Sequence, residues 1–235
     1  MTRVAIMQPY LFPYLGYFQL LQAADKFVLL DDVQFIKRGW INRNRILVGG
    51  QEHLFTVPLE GASQNKLINQ LHVSPDQRAR HKLLQTITQA YSRAPFFASC
   101  FPLLEQVLLL PCLTITDMVR ASLLAVSQYV GWDTQLYLSS ALSKPSDLTG
   151  ADRILAICQA LQADQYVNME GGSHLYDVLR FAQQGVELQF LRAQLPPYPQ
   201  AAATFIPGLS IIDVLMYNSP AWIRESARQA KVYVA

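Results

Sequence analysis

The feature that most constrains this chain is a pair of short apolar runs close together near its start, with helical spacing between them. Residues 3–7 form a β-rich run that ends at Gln8-Pro9, where proline withdraws its N–H from any ladder. Over 14–24, Leu15, Phe18, Leu20 and Leu21 recur at helical spacing. Lys26-Phe27-Val28-Leu29-Leu30 then reads as a second strand. Its unbroken apolar character suits a strand covered by helices on both faces, as in a parallel sheet. Strand, short helix, strand is the opening of a βαβ unit.

Further along, Asn42–Val48 and His53–Pro58 flank Gly49-Gly50, which predicts a β-hairpin. Ser74-Pro75-Asp76-Gln77 predicts a helix start with Ser74 as N-cap and Gln77 closing a capping box. That helix buries Ala79, Leu83, Leu84, Ile87 and Tyr91. Segments 95–110 and 115–130 are also helical, the second closed by Gly131. The strand–helix alternation then returns. Gln135–Leu138, Gln165–Asn168 and Val186–Leu191 are strands, Thr149 caps a helix to Leu161, and Ser173 opens one that ends before Gly185. A Pro-rich stretch, 196–199, precedes helices over 210–217 and 220–229, and Val232-Tyr233-Val234 could pair with its own sheet or with a neighbouring chain. The expected fold is α/β: a predominantly parallel sheet with flanking helices, an N-terminal β-hairpin and an all-helical middle insertion. The 235 residues suit one domain, with 74–131 as a helical subdomain.

Composition narrows the functional classes. A net charge of +2 argues against a general nucleic-acid binder, and no run nears the ~20 apolar residues of a membrane span. The N-terminal apolar run is too brief for a signal peptide, so a cytoplasmic location is expected. Cys100, Cys112 and Cys158 are odd in number and lack CxxC spacing, and the four histidines show no HxxxH pair. Neither a metal site nor a disulfide framework is indicated, and no motif identifies a cofactor.

Ligands of an open parallel sheet bind outside the carboxyl ends of its strands. Polar or small residues gather there: Gln8 and Tyr10, Asp31 and Asp32, Ser139 with Ser140, and Asn168 followed by Gly171-Gly172-Ser173. Turn chemistry also enriches such residues at strand ends. In Lys37-Arg38-Gly39-Trp40-Ile41-Asn42-Arg43-Asn44-Arg45, strand alternation puts Asn42 and Asn44 on one face and Arg43 and Arg45 on the other. The amides suit hydroxyls or a base edge. The cations, with Lys37 and Arg38 nearby, suit phosphate or carboxylate, and Trp40 offers a platform. A solvated edge hairpin would carry the same charges. Asp31 or Asp32 could act as a general base or simply pair with the neighbouring cations. Gly171-Gly172, at a predicted helix start, could present amides to an anion or merely form a turn.

These residues also carry a resemblance. Ile6-Met7-Gln8-Pro9-Tyr10-Leu11-Phe12-Pro13-Tyr14-Leu15-Gly16-Tyr17-Phe18, then 27–32, then 37–46, resembles the WbqC-like family. Tyr166-Val167-Asn168 with Gly171-Gly172, Tyr198-Pro199-Gln200 and Ser210-Ile211-Ile212-Asp213 extend the likeness over nearly the whole chain. Many relatives have His-Gln-Pro where this chain has Met7-Gln8-Pro9. The resemblance implies bacterial surface-polysaccharide (O-antigen) biosynthesis. It implies a transferase that attaches an amino acid such as glycine to an amino sugar or nucleotide sugar, making a nucleotide sugar the expected partner. Two alternatives stand beside it: a nucleotidyltransferase-like enzyme, although the HxGH-type pair is missing, and a non-catalytic binding or scaffold component of glycan assembly.

Overall fold

A computed structural model describes residues 1–111 and 113–235, so Cys112 lies outside the described residues. The opening βαβ unit forms as the apolar runs predict. Strand β1 (Arg3–Met7) pairs in parallel with β2 (Lys26–Leu29), and α1 (Leu15–Gln22) connects them. The hairpin is β3 (Arg43–Val48) with β4 (Gln51–Thr56), turning at Gly49 and Gly50, whose φ values of 59° and 78° favour residues without a side chain. Helices α2 (Arg78–Tyr91), α3 (Phe97–Leu109) and α4 (Ile115–Val130) fill the middle third. Then come β5 (Leu136–Leu138), α5 (Gly150–Ala160), β6 (Gln165–Met169), α6 (Val178–Gln183) and β7 (Glu187–Arg192). Helices α7 (Ile211–Tyr217) and α8 (Pro220–Arg228) precede β8 (Lys231–Val234).

The main sheet has the order β5-β2-β1-β6-β7-β8, and the hairpin forms a second, two-stranded sheet. All neighbours in the main sheet are parallel except β7 and β8, so the chain's last strand closes its own sheet. Side chains alternate across it. Ala5, Phe27, Leu29 and Val167 face a core shared with α1–α4, α7 and α8, while Val4, Ile6, Val28 and Tyr166 face α5 and α6. Each fully buried side chain such as Phe27 contributes about 1.5–3 kcal/mol. The chain leaves β1 toward β2 on one side and returns through α5 to β6 on the other. The strand order therefore reverses beside β1, where crevices open in such sheets.

Two local expectations are corrected and a third is refined. Helix α2 begins at Arg78, after Ser74 and Asp76 have turned the chain by accepting from the Asp76 and Arg78 amides, so the Ser74–Gln77 box does not form. Thr149 does stand at the N-cap of α5, although its side chain makes no capping bond, and Asp152 in the first turn pairs with Arg180. Gly171 and Gly172 lie inside a 3₁₀ turn, Glu170–Leu175, and α6 starts only after Asp177 accepts from the Leu179 amide. The glycine pair therefore does not present a helix N-terminus to an anion. Glu170 anchors the turn by pairing with Arg192 and accepting from the Tyr233 hydroxyl, contacts that only the sheet order brings together.

Candidate functional site

Two cavities flank the carboxyl end of β1. The larger, about 580 Å³, opens where β2 ends, beside the start of α5 and the turn after β6. Its lining includes Asp32, Gln34, Thr149, Gly150, Arg153 and Tyr176. The smaller, about 210 Å³, lies between the segment after β1 and the hairpin, lined by Tyr10, Pro13, Tyr14, Trp40, Asn44, Arg45 and Gly208.

In the larger cleft the adjacent carboxylates have separate partners. Asp31 is 1% exposed, and its two oxygens accept from the Ser140 amide at 2.9 Å and the Ser140 hydroxyl at 2.7 Å. Asp32 lies 2.8 Å from the Lys144 ammonium and 3.4 Å from Arg153. Lys144 also donates to the Ser139 carbonyl, and Arg153 donates to the carbonyls of Asp32, Ser146 and Leu148. These bonds fasten the loop after β5 to the end of β2. Burial pushes the Asp32 carboxyl up, but Lys144, the neighbouring Ser139 hydroxyl and the charge of Arg153 outweigh it and hold the group below its ordinary range. Asp32 is thus an ionised acceptor at neutral pH and a weak base. Its buried Oδ1 faces Arg153 at 3.4 Å, an ion pair rather than a hydrogen bond.

Asn168, at the end of β6, is 7% exposed. It donates to the Tyr176 hydroxyl at 3.1 Å and accepts from the Met169 amide at 2.7 Å. It thereby positions Tyr176, a wall of the cleft. Gly172 packs where a Cβ would stand 3.2 Å from the Asn168 amide, so these two strand-end features meet.

Around the smaller pocket, many of the polar groups singled out in the sequence hold the walls. The Asn44 amide donates to the carbonyls of Leu11 (3.2 Å) and Phe12 (2.8 Å). Asn42 donates to the Val57 carbonyl at 2.8 Å, and the Val57 amide returns a 2.7 Å bond to Asn42. Arg43 donates to the carbonyls of Gly39 (2.8 Å) and Arg38, fixing the loop in which Arg38 adopts a φ of 62°. The guanidinium carbons of Arg43 and Arg45 lie 5.9 and 5.4 Å from the Trp40 ring centre, as expected of arginines sharing a strand face. Lys37 and Arg38 are exposed on the preceding loop. The Gln8 carbonyl accepts from the Tyr17 hydroxyl at 2.9 Å.

The candidate residues therefore divide. Tyr10, Trp40 and Asn44 meet at the smaller pocket, while Asp32 lines the larger cleft. Ser139 and Asn168 support the larger cleft from behind. Sequence reasoning placed Gln34 at the polar end of the second strand without giving it a role, and it did not single out Lys144, Tyr176, Pro13 or Gly208 as site residues. Lys144 had a usable signal, since its loop follows β5 at the same sheet edge, but its pairing with Asp32 spans the fold. A further polar cluster was also missed: buried Asp213 accepts from the hydroxyls of Tyr91 (2.8 Å) and Tyr198 (2.7 Å) and from the Gln200 amide (3.1 Å).

The WbqC-like protein family model matches residues 8–225, a span that holds both cavities and every strand from β2 to β7. The chain belongs to the WbqC-like family. This WbqC-like chain is also 29% identical over 219 residues to a Mycobacterium tuberculosis (strain ATCC 25618 / H37Rv) protein named "Uncharacterized protein Rv1507c", covering 92% of this chain and 93% of that relative. No solved structure matches significantly. Family membership hints at a polysaccharide-related function. Among the described residues no helix is long and apolar enough to cross a membrane. Nor, among them, does any group of three His, Cys, Asp or Glu side chains converge as for a metal ion.

Proposed function

We propose that this protein is a transferase of bacterial surface-polysaccharide assembly that binds a sugar, carried as a nucleotide-linked precursor, in the larger cleft. The observation that carries it is the convergence of Asp32, Gln34, Arg153 and the start of α5 around one 580 Å³ cleft at the strand ends. The leading amides of α5 suit a phosphate. Gln34 suits sugar hydroxyls. Asp32, held ionised between Lys144 and Arg153, supplies the negative charge in that cleft. In an acyl transfer from an activated donor, an acyl phosphate or a thioester, the sugar amine forms the amide bond as the donor's acyl–oxygen or acyl–sulfur bond breaks. The phosphate or thiol leaves, with the amine's proton passing to it or to solvent. The negative charge of Asp32 balances the positive charge that develops on the amine, while Asp31, bound to Ser140, fastens the end of β2 to the loop after β5.

Thermal shift against a panel of nucleotide sugars, followed by a mass-based transfer assay with activated amino-acid donors (acyl phosphates and thioesters), tests this function. The expected result is stabilisation by one nucleotide sugar, lost in Gln34→Ala without a change in the unliganded melting temperature, and a product heavier by one acyl unit. Ligand binding with no product would favour a non-catalytic binding component. Binding unaffected by Gln34→Ala would remove the substrate from this cleft.

A further inference from the structure

The smaller pocket is the more elaborately built of the two. Phe12, fully buried, is held at a φ of 43°, a left-handed conformation that costs a bulky residue about 1–2 kcal/mol. Its carbonyl is clamped by the Asn44 amide at 2.8 Å and the Ser210 hydroxyl at 2.7 Å. The Ser210 amide donates to the Arg45 carbonyl at 2.9 Å, and the Ile211 amide to the Pro13 carbonyl at 2.9 Å. Three distant chain segments are thereby locked around one opening. Gly16 adds a second device: a Cβ there would stand 2.3 Å from the Tyr14 ring, so the missing side chain lets Tyr14 fold back over α1 as a pocket wall.

We propose that this pocket is a separate ligand site that takes a planar ring bearing an anionic group. Tyr10, Tyr14 and Trp40 supply aromatic walls, and about 210 Å³ suits a single ring with its charged substituent at the mouth. Arg45 lines the pocket, and its buried Nε has no hydrogen-bond partner although the group pairs with Glu52. The surrounding field is positive. Among the described residues Lys37, Arg38 and Arg43 have no carboxylate partner, and the chain carries no Asp or Glu between Asp32 and Glu52. Two sources share this chemistry, the base and phosphate of a nucleotide and an aromatic carboxylate. The inference stands apart from the transferase proposal. If both hold, the pocket serves the second substrate that any transfer requires.

Isothermal titration calorimetry with UMP and with phenylacetate, each beside its uncharged counterpart (uridine or benzyl alcohol), distinguishes the sources. At least one anion binds, its uncharged counterpart binds at least ~10-fold more weakly, and Trp40→Ala weakens binding about tenfold, the size of one lost stacking contact. Arg45→Gln erases the preference for the anion, and Gln34→Ala leaves the affinity unchanged. Trp40 is partly exposed, so its removal does not threaten the fold. Preference for UMP assigns a nucleotide and preference for phenylacetate an aromatic acid. No binding of either at millimolar concentration overturns the proposal. So does binding that survives Trp40→Ala, and if that binding is lost in Gln34→Ala the ligand belongs to the larger cleft.

Discussion

The side-chain amide of Asn44 donates at 2.8 Å to the carbonyl of Phe12, the buried aromatic residue whose φ of 43° turns the chain away from β1. A strained turn persists only where its surroundings over-determine it, and Asn44 provides part of that constraint from 32 positions away. Replacing Asn44 by Ala leaves the Leu11 carbonyl without this donor and the Phe12 carbonyl with Ser210 alone. The expected cost is about 1–3 kcal/mol, read from urea unfolding. Asn44→Asp, which cannot donate when ionised, is expected to cost at least as much.

Gly16→Ala separates pocket shape from stability. Alanine favours a helix over glycine by about 1 kcal/mol, and the clash falls on the outer atoms of the Tyr14 ring rather than on backbone. The variant is expected to melt no lower than the parent while losing affinity for the small-pocket ligand. A melting temperature lowered by several degrees would show that the ring cannot move aside.

Asp32 links the larger cleft to acid stability. Its carboxyl is held below the ordinary value of about 3.9. The stability it contributes is therefore present above that value and lost as pH falls through the depressed one. Lys144→Met removes the closest cation from a carboxylate that is only 17% exposed, and a loss of about 1–3 kcal/mol at pH 7 is expected, with Arg153 limiting the damage. Asp32→Asn should flatten the acid limb of a stability–pH profile, and an unchanged limb would contradict the depressed value.

Asp213 is expected to act with the opposite sign. Burial raises its carboxyl, against the hydrogen bonds from Tyr198, Tyr91 and Gln200 that lower it. A raised carboxyl contributes stability that is fully present below its unfolded value and lost as pH rises through the folded one. The stability of the parent relative to Asp213→Asn should therefore fall as pH rises from the ordinary carboxylate value upward. Urea unfolding of both proteins across that window measures the difference, and a constant difference would mean that Asp213 does not titrate there.

Burial pushes the Cys158 thiol up to about 12, so almost none of it is thiolate at neutral pH. Iodoacetamide is expected to leave Cys158 unmodified in the native protein and to alkylate it in urea, as peptide mass mapping would show. Native modification would require that α5 opens from the sheet.

Much of the fold was legible because its signals are local. Phe27-Val28-Leu29 announced a doubly covered strand, Gly49-Gly50 a hairpin turn at positive φ, and Gly131 a left-handed helix end with a φ of 83°. Helix starts were less legible. Thr149 marked the start of α5, but at Ser74 the same kind of pattern marked a turn, because Ser74 and then Asp76 accept from the Asp76 and Arg78 amides, no further on than the first residue of α2. The site was legible as a set of candidates. Trp40, Asn44 and Asp32 do line cavities, but the sequence could not say that Asn42 and Arg43 would be spent on nearby carbonyls.

By itself, then, the sequence determined what a short window can determine: strand and helix identity, the hairpin turn, the parallel βαβ opening and the family. Periodicity and turn chemistry act over a few residues, where backbone sterics and side-chain spacing decide. Only the tertiary structure decided that Asp31 and Asp32 have different partners, that Glu170 ties the glycine-containing turn to Arg192 and Tyr233, and that two cavities rather than one flank β1. Each of those facts joins residues far apart in the chain. The packing of a six-stranded sheet sets their distances, and no local pattern encodes them.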